Sequence, residues 1–359
     1  MRFGLIGLGA IGQVRAAALA RTPGCSLTAA HDLDTARARA TGAAAFDTAD
    51  ALLASDACDA VVISTPPDTH EALAVAAMER GKHVLVEKPM ANSAAACRRM
   101  VEVSRRTGRV LTVGFNHRYF DAVKVVRDAV RSGAIGRLSH VRGYAGHVGL
   151  AEFKAPWMYD KDVMGGGTLM DNGIHLVDLV QHLMGDVASV TGAAGRGVWG
   201  LDRVEDNGFA LLRGASGVLG SLHSSWSEWQ GYRFWVEAYG DRGMARAYYA
   251  PMRSILITMD RPGGTRRVRR DFYPGAILRE RLRGWQSTVV RTFVEEFQAF
   301  AALARGEAGD GVIARAEDGW RSVAIAEAVY ASSEAGRSVA LEGTMRICEA
   351  LGMERPEPR

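Results

Sequence analysis

The sequence predicts an α/β protein with an N-terminal doubly wound parallel sheet, followed by a C-terminal α+β domain with a large, mostly antiparallel, open-faced sheet. Two observations predict this fold class. In the first third of the chain, short apolar runs alternate with helical patterns, which is typical of parallel βαβ units. After Gly185, segments of strand length recur between turn residues, which is typical of an antiparallel sheet.

The length and composition indicate an ordinary two-domain globular protein. The chain has 359 residues, of which 48% are hydrophobic and 23% charged. The pattern changes near residue 121, so we expect domains at 1–120 and 121–350 and a flexible tail at 351–359. A net charge of +4 is too small to indicate a nucleic-acid partner.

The four cysteines and the apolar runs suggest a location. The cysteines are far apart and form no CxxC motif, which favours a reduced cytoplasmic protein. We expect no membrane partner, because no apolar run reaches the length of a membrane span. The first strand is predicted to begin near residue 2, so we expect no signal peptide.

A glycine motif follows the first apolar run. Arg2–Ile6 predicts a strand, Gly7–Gly12 reads GLGAIG, and Gln13–Ala20 predicts an Ala-rich helix. The next strand, Leu27–His31, is followed by Asp32. In this pattern the glycines permit a tight turn, the approach of a pyrophosphate and close helix packing, while the helix N-terminus offers N–H groups to the phosphates. The pattern predicts dinucleotide binding by Gly7, Gly9, Ala10, Ile11, Gly12 and Asp32.

The residues after the second strand bear on the choice of dinucleotide. Asp32 should accept hydrogen bonds from the adenosine ribose hydroxyls and repel a 2′-phosphate, which favours NAD over NADP. Asp34 adds to this repulsion. Arg37 and Arg39 lie nearby and keep NADP possible.

Three further strands end in polar residues. The clusters are Thr65–His70 after Ala60–Ser64, Glu87–Pro89 after His83–Val86, and Asn116–Tyr119 after Val110–Phe115. Because ligands of a doubly wound sheet bind at the carboxyl ends of its strands, we expect these clusters to line one crevice. Lys88 stands between a buried strand and a proline that fixes the backbone, so it can hold a substrate hydroxyl and share in its proton transfer. Alternatively it is a solvated lysine at a strand end.

The segment Met164–Gly185 carries the most chemistry. Three glycines precede Thr168, and the spacing of Thr168 and Asp171 predicts a capped helix beginning there. Asp171, His175, Asp178 and His182 then share a stripe about 60° wide. A carboxylate one turn from an imidazole can orient it, as a general base requires. Asp171 has a simpler alternative role as a helix cap. Without a nearby Cys or an HExxH motif, we expect no metal site.

The second half predicts a sheet covered on one face. A helix is expected at Asp121–Arg131, and two late helices at Val290–Ala304 and Ala314–Ala335. The expected strands are Leu138–His147, Val187–Gly192, Asn207–Leu212, Val218–Trp226, Tyr232–Tyr239, Met244–Tyr249, Ser254–Met259 and Arg266–Phe272. Subunit association usually covers the other face of such a sheet, so we expect a homodimer or homotetramer.

Two features of this half have alternative interpretations. The basic run Arg266–Arg270 is either an exposed strand and turn or a site for an anionic substrate group. Aromatic residues between Trp226 and Trp235 are either core and interface residues or a platform for a sugar ring. Trp157 precedes the glycines and is a candidate to line a substrate pocket.

Several motifs together resemble one family. GLIGLGAIG, STPPDTH, VLVEKP, GFNHRY and GGGTLMDNGIHLVDL occur in the order and at the approximate separations of the Gfo/Idh/MocA oxidoreductases, which include inositol and sugar dehydrogenases. The resemblance implies a Rossmann domain and a catalytic triad of Lys88, Asp171 and His175. It implies a cofactor-binding role for Asp32, Thr65, Pro66, His70, Glu87, Lys88 and Asn116. The family often has Arg where this chain has His117.

These observations predict an NAD-dependent dehydrogenase acting on a secondary hydroxyl of a sugar or cyclitol. His175 takes the hydroxyl proton, Asp171 orients His175, and Lys88 holds the hydroxyl, so we expect the three to converge beside the nicotinamide. The residues expected to bind substrate are Lys88, Arg118, Trp157, Asp171, Asn172 and His175. The alternatives are an NADPH-dependent ketone reductase, an NAD-dependent glycosidase of the same fold, and a non-catalytic sugar sensor.

Overall fold

The computed structural model describes residues 1–151 and 155–341, and the chain divides into two compact units. The first unit contains Met1–Tyr119 and Leu278–Trp320. The second contains Phe120–Ile277 and the chain from Arg321 onward. The predicted flexible tail, 351–359, and Cys348 lie outside the described residues.

A parallel sheet forms the centre of the first unit, as predicted. Its six strands lie in the order β3-β2-β1-β4-β5-β6, and every pair of neighbours is parallel. The strands are β1 (Arg2–Ile6), β2 (Ser26–His31), β3 (Ala44–Ala45), β4 (Ala60–Ile63), β5 (His83–Val86) and β6 (Leu111–Val113). The helices between them are α1 (Ala10–Leu19), α2 (Thr35–Ala40), α3 (Ala49–Ala54), α4 (His70–Glu79) and α5 (Ala94–Thr107). The doubly wound fold predicted from the alternating pattern is confirmed.

The division between the units differs from the predicted one. Leu278–Trp320 belongs to the first unit, although the sequence suggested one continuous second domain, 121–350. Apolar burial explains the difference. Helix α10 (Gln286–Ala304) buries Phe293, Phe297 and Phe300 in the same core as Phe3. The Phe3 and Phe297 rings lie edge-on with centroids 5.4 Å apart.

The second unit is built on a nine-stranded sheet, in the order β14-β13-β12-β11-β7-β10-β9-β8-β15. Only the pairing of β7 with β10 is parallel, so the sheet is mostly antiparallel, as predicted. Its strands are β7 (Leu138–Gly146), β8 (Val187–Gly195), β9 (Asn207–Gly214), β10 (Leu219–Ser225), β11 (Arg233–Gly240), β12 (Gly243–Tyr249), β13 (Arg253–Met259), β14 (Arg266–Phe272) and β15 (Val339–Ala340).

The helices of this unit cover one face of the sheet. α6 (Asp121–Arg131) and α8 (Gly173–Met184) bury apolar side chains in one core with residues of the sheet. Strand β9 shows the two faces, because Ala210 and Leu212 are buried while Phe209 and Leu211 are 47% and 64% exposed. The remaining helices are α7 (Lys161–Met164), α9 (Pro274–Arg283) and α11 (Ala316–Ala335), of which the last two cross between the units. The open face expected from the sequence is therefore present.

The basic run forms an exposed strand. β14 pairs with β13, and its arginines, Arg266, Arg267, Arg269 and Arg270, are all exposed. This is the first of the two interpretations that the sequence allowed. Charged side chains on such a strand discourage pairing with another chain. In the described part of the chain, no helix combines the length and apolar character needed to cross a membrane.

Candidate active site

The glycine loop of the first unit has the geometry of a dinucleotide cradle. Gly7 has φ +89°, and a Cβ on it would lie 2.7 Å from the carbonyl of Ser64. A Cβ on Gly12 would lie 2.1 Å from the Gly7 oxygen, so these two positions require glycine. A Cβ on Gly9 would meet nothing within 4 Å, and Gly9 is the N-cap of α1. The loop thus leaves open space at the N-terminus of a helix, where a pyrophosphate binds in such folds.

Helix α1 begins at Ala10 rather than at the predicted Gln13, so the motif itself opens the helix. Ala10 and Ile11 are exposed in its first turn. Asp32 follows β2, and its carboxylate accepts hydrogen bonds from the backbone N–H groups of Leu8, at 2.6 Å, and Asp34, at 2.8 Å. Asp32 therefore fixes the glycine loop and also brings a negative charge to its edge.

Hydrogen bonds among its own residues hold the polar cluster after β4 in place. Thr65 and Pro66 are half-buried, and the hydroxyls of Thr65 and Thr69 are 2.6 Å apart. His70 was expected to line the cofactor, but its side chain is fully buried. One ring nitrogen lies 2.8 Å from the backbone carbonyl oxygen of Thr65, and the other lies 3.1 Å from that of Pro89. Burial lowers the pKa of His70. His70 therefore joins two strand ends, and its ring offers no surface to a cofactor.

Glu87 faces a buried ion-pair cluster. Its carboxylate pairs with Arg15 of α1 at 2.5 Å, and Arg15 also pairs with Glu296 of α10. The Arg15 guanidinium lies over the Phe293 ring, 3.5 Å from the centroid. Burial outweighs the attraction of Arg15 and raises the pKa of Glu296 to about 7. Glu87 was expected at the cofactor. Its ion pair with Arg15 links the end of β5 to α1 and, through Glu296, to α10.

Lys88 follows Glu87 directly and is half-buried. His117 is buried, and burial together with the positive charge of Lys88 lowers the pKa of His117 to about 3. His117 is therefore neutral beside the Lys88 ammonium at any ordinary pH. Asn116 is also buried, and its side-chain amide donates to the Thr292 hydroxyl at 3.0 Å. Its expected contact with the cofactor stays a prediction, and its amide also binds α10.

Arg118 was expected to bind substrate, and its side chain has partners within the first unit. Its side chain is 2% exposed, and its guanidinium donates to the Val312 carbonyl and to Asp318, both at 3.2 Å. A guanidinium is rigid and costly to bury unpaired, so these partners fix its position. Arg118 thus joins the segment after β6 to the first turn of α11.

In the second unit, the helix after the three glycines begins later than predicted. α8 starts at Gly173 with Asn172 as its N-cap residue, and Thr168 does not cap it. The Thr168 hydroxyl instead binds the Asn172 oxygen at 3.0 Å and lies 2.7 Å from the Ser224 hydroxyl. The capping-box prediction was wrong because these tertiary partners compete for the hydroxyl. Asp171 consequently lies in the turn before the helix.

A buried carboxylate holds this turn. Glu205 accepts hydrogen bonds from the backbone N–H groups of Gly167 and Leu169, both at 2.8 Å, and from the Tyr330 hydroxyl at 3.0 Å. A Cβ on Gly166 would lie 2.0 Å from that hydroxyl, which explains the need for glycine there. Burial raises the pKa of Glu205, although these donors lower it. The glycines therefore let the chain pass between Glu205 and Tyr330 on its way to Asp171.

Asp171 is placed by two N–H donors. Its Oδ2 accepts from His147 Nε2 at 2.9 Å and from Trp226 Nε1 at 3.1 Å, and all three residues are buried. His175, in the first turn of α8, is 7% exposed, and Asp178 of the predicted stripe is 1% exposed. The predicted candidates Asp171 and His175 thus occur within five residues of chain in a buried, polar part of the unit.

The other two expected substrate residues of this unit differ in exposure. Asn172 is buried, and its oxygen binds Thr168 and Ser224. Trp157 is 40% exposed, in a 3₁₀ turn at Pro156–Tyr159. Trp157 is available to a ligand, and Asn172 shapes the turn that carries Asp171.

Two family models match this chain. The model described as "Oxidoreductase family, NAD-binding Rossmann fold" matches residues 1–115, and the "GFO/IDH/MocA C-terminal domain" matches residues 123–246. An inositol 2-dehydrogenase of Rubrobacter xylanophilus is 32% identical over 352 residues, which cover 93% of this chain and 91% of that protein. The chain belongs to the Gfo/Idh/MocA family of oxidoreductases.

Other family members are similar over almost their whole length. A myo-inositol 2-dehydrogenase of Thermotoga maritima is 28% identical over 351 residues, covering 95% of this chain and 99% of that one. A solved levoglucosan dehydrogenase in complex with NADH and L-sorbose superposes with a TM-score of 0.83 at 22% identity, covering 95% of this chain and 98% of that one. The predicted family is therefore confirmed, and residues 1–115 match its NAD-binding domain.

The sequence did not reveal several residues that build this Gfo/Idh/MocA site. Arg15 is a charged residue within an otherwise apolar and Ala-rich helix, and His147 follows the last residue of a strand. Both positions are signals of a functional or structural role. Glu205 and Glu296 gave no such signal, because acidic residues in a loop or helix are ordinarily solvated.

Proposed function

We propose that the protein is an NAD-dependent dehydrogenase that oxidises a secondary hydroxyl of a sugar or cyclitol. The observation that carries the proposal is the placement of Asp171 by His147 and Trp226, four residues before His175. A carboxylate fixed by N–H donors can orient a neighbouring imidazole, and general-base catalysis uses such a pair. The names of the relatives, inositol 2-dehydrogenase and levoglucosan dehydrogenase, support a polyhydroxylated ring as substrate.

The residues of the first unit fit the cofactor. The open space at Gly9 and the N-terminus of α1 suit a pyrophosphate, and Asp32 suits an unphosphorylated ribose. When bound, NAD accepts the hydride that leaves the substrate carbon. The negative charge of Asp32 favours NAD. Arg37 is paired with Asp34 at 3.2 Å, which makes Arg37 less available to bind a 2′-phosphate.

We assign three roles in one reaction. His175 accepts the proton of the substrate hydroxyl, and Asp171 orients His175 and stabilises its charged form. Lys88 donates a hydrogen bond to the reacting oxygen and stabilises the negative charge that develops there. His117, neutral beside Lys88, adds no second positive charge to that position.

A substrate screen tests the proposal. The purified protein is incubated with cyclitols, aldoses and nucleotide sugars in the presence of NAD or NADP, and the absorbance of the reduced cofactor is recorded. Net NADH formation with a free sugar or cyclitol is expected. Release of a monosaccharide from a glycoside without net NADH would instead identify the glycosidase alternative, and reduction of a sugar ketone with NADPH alone would identify the reductase.

We further propose a cytoplasmic homodimer or homotetramer. In the described part of the chain, Cys25, Cys58 and Cys97 form no disulfide bond, which suits a reducing compartment. The open face of the second-unit sheet presents Phe209, Leu211 and Leu219, each at least 47% exposed. Exposed apolar side chains on an open sheet face are typical of a subunit interface.

A further inference from the structure

We propose that His147 and Trp226 are positioning residues that hold Asp171 ionised and correctly oriented, and thereby set the pH range of the reaction. The inference rests on the proposed role of Asp171 beside His175. Its structural basis is the convergence of two side-chain N–H groups on one carboxylate oxygen, Asp171 Oδ2, at 2.9 and 3.1 Å. Two donors on one oxygen hold a carboxylate in one orientation more firmly than a single donor does.

The backbone fixes the tautomer of His147. The N–H of Gly149 donates to His147 Nδ1 at 3.0 Å, so that nitrogen is an acceptor without a proton. The proton of the neutral ring is therefore on Nε2, which faces Asp171 Oδ2. His147 is 3% exposed and directly follows β7. Its backbone N–H donates to the Ser225 carbonyl at the end of β10. The donor is thus preorganised by two elements of the sheet.

Trp226 is held as firmly. It is fully buried, and its backbone N–H donates to the Asp206 carbonyl at 2.8 Å. Its own carbonyl accepts from Trp199 Nε1 at 2.8 Å. The Asp206 carboxylate in turn accepts from the backbone N–H groups of Gly197, Val198 and Trp199, which anchors the loop that carries Trp199. Three segments therefore cooperate to aim one indole N–H at Asp171.

The other ionisable groups that face Asp171 strengthen the assignment. Tyr159 packs edge-on against Trp226 with ring centroids 5.2 Å apart. Burial and the negative charge of Asp171 raise the pKa of Tyr159 to about 12, and they also raise the pKa of the half-buried Tyr232. Both phenols are neutral at ordinary pH, so among these neighbours the charge of Asp171 is balanced by N–H donors and by the imidazolium that forms at His175.

The direction of the effect follows from charge stabilisation. N–H donors stabilise the ionised carboxylate and hold its pKa down. Removing one donor makes Asp171 more basic, so it binds the His175 proton more tightly and is itself protonated at higher pH. Both changes move the acidic limb of the pH–rate profile to higher pH. Removing the carboxylate charge instead destabilises the imidazolium and moves the limb to lower pH.

The test compares pH profiles of kcat in five variants, of which Asp171→Asn is considered last. Trp226→Phe removes the N–H but keeps an aromatic ring, and it should lower the plateau by about 10-fold to 100-fold, the usual worth of a hydrogen bond to a charged group. Its acidic limb should move up by about half a unit to one unit. His147→Leu should act in the same direction, while His147→Gln, which retains a side-chain N–H, should restore most of the wild-type profile. Trp285→Phe, at an exposed indole, should change neither quantity.

Asp171→Asn distinguishes the positioning role of His147 and Trp226 from the proposed role of Asp171 itself. If Asp171→Asn moves the limb to lower pH while Trp226→Phe and His147→Leu move it to higher pH, the inference is supported. If Asp171→Asn shifts the limb but both donor variants keep the wild-type limb and plateau, the positioning role is wrong and the proposed function stands. If Asp171→Asn itself leaves the profile unchanged, Asp171 has no part in proton transfer and both proposals fail.

Discussion

The carboxylate of Asp32 accepts a hydrogen bond from the backbone N–H of Leu8 at 2.6 Å. Leu8 stands between the first two glycines of the GxGxxG motif, so the acidic residue that favours NAD also fixes the loop that holds its phosphates. The other oxygen of Asp32 accepts from the Asp34 N–H at 2.8 Å. Cofactor choice and loop geometry are therefore coupled through one side chain.

Replacing Asp32 should change cofactor preference. The wild-type enzyme should have a higher kcat/KM with NAD than with NADP, and Asp32→Asn should narrow the ratio by about 10-fold, because a like charge near a phosphate is removed. Asp32→Ser should narrow it too, but with a lower Tm, since the short side chain cannot hold the Leu8 N–H. Asp59→Asn is the matched control, because Asp59 pairs with Arg2 at the amino ends of β1 and β4, and it should leave the ratio unchanged. A wild-type preference for NADP would refute the assignment.

Two glycines of the motif should respond differently to alanine. A Cβ on Gly9 meets nothing within 4 Å, so Gly9→Ala should keep the wild-type Tm while weakening NAD binding by more than 10-fold, since the methyl group occupies the approach of the pyrophosphate. A Cβ on Gly12 would lie 2.1 Å from the Gly7 oxygen, so Gly12→Ala should lower both Tm and NAD affinity. Thermal melts and NAD titration by calorimetry separate the two. Unchanged NAD affinity in Gly9→Ala would place the phosphates elsewhere.

The fold was predictable because its signals are local. Arg2–Ile6, Asp121–Arg131 and Arg266–Phe272 have the predicted bounds. An apolar run defines the first strand, apolar periodicity defines the helix, and flanking turn residues define the basic strand. The segment Leu278–Trp320 was assigned to the wrong unit. Tertiary packing decides which core buries Phe293 and Phe297. The amphipathic pattern of a helix shows that one face is buried but does not show against which element.

The site was predictable only in part. Lys88, Asp171 and His175 stand out because their motifs resemble those of one family. The burial of Arg118 could not be predicted, since its partners, Val312 and Asp318, are nearly 200 residues away in sequence. A sequence lists the groups able to form hydrogen bonds, but only the fold decides which of them are satisfied internally and which remain for a ligand.

The buried cluster of Arg15, Glu87 and Glu296 should make stability depend on pH. The pKa of Glu296 is raised from 4.5 to about 7, so the folded protein binds this proton more tightly than the unfolded chain does. Stability should therefore fall as pH rises from about 4.5 to about 7, by about 3 kcal/mol from this group alone. Glu296→Gln should flatten that part of the Tm-against-pH curve. An equally steep curve in the variant would show that Glu296 is ionised throughout.

The open sheet face should mediate assembly. Leu211 is 64% exposed at the centre of β9, so Leu211→Arg should convert a dimer or tetramer into smaller species without lowering secondary-structure content. Arg213→Ala, on the same strand and face, is the control. It removes a positive charge from that face, whereas Leu211→Arg adds one. Light scattering at micromolar concentration measures the outcome. A wild-type monomer would eliminate the proposed interface.

The pH profile of oxidation should identify the base. A neutral imidazole accepts a proton and an imidazolium does not, so kcat should rise through one limb near the reference pKa of histidine, about 6.5. His175→Ala should lower kcat by about 10² to 10⁴ and abolish that limb while NAD binding is kept. Lys88→Ala should also lower kcat but leave the limb in place, because Lys88 holds the reacting oxygen without taking its proton. If His175→Ala keeps the wild-type limb and Lys88→Ala abolishes it, Lys88 is the base and the two roles are exchanged.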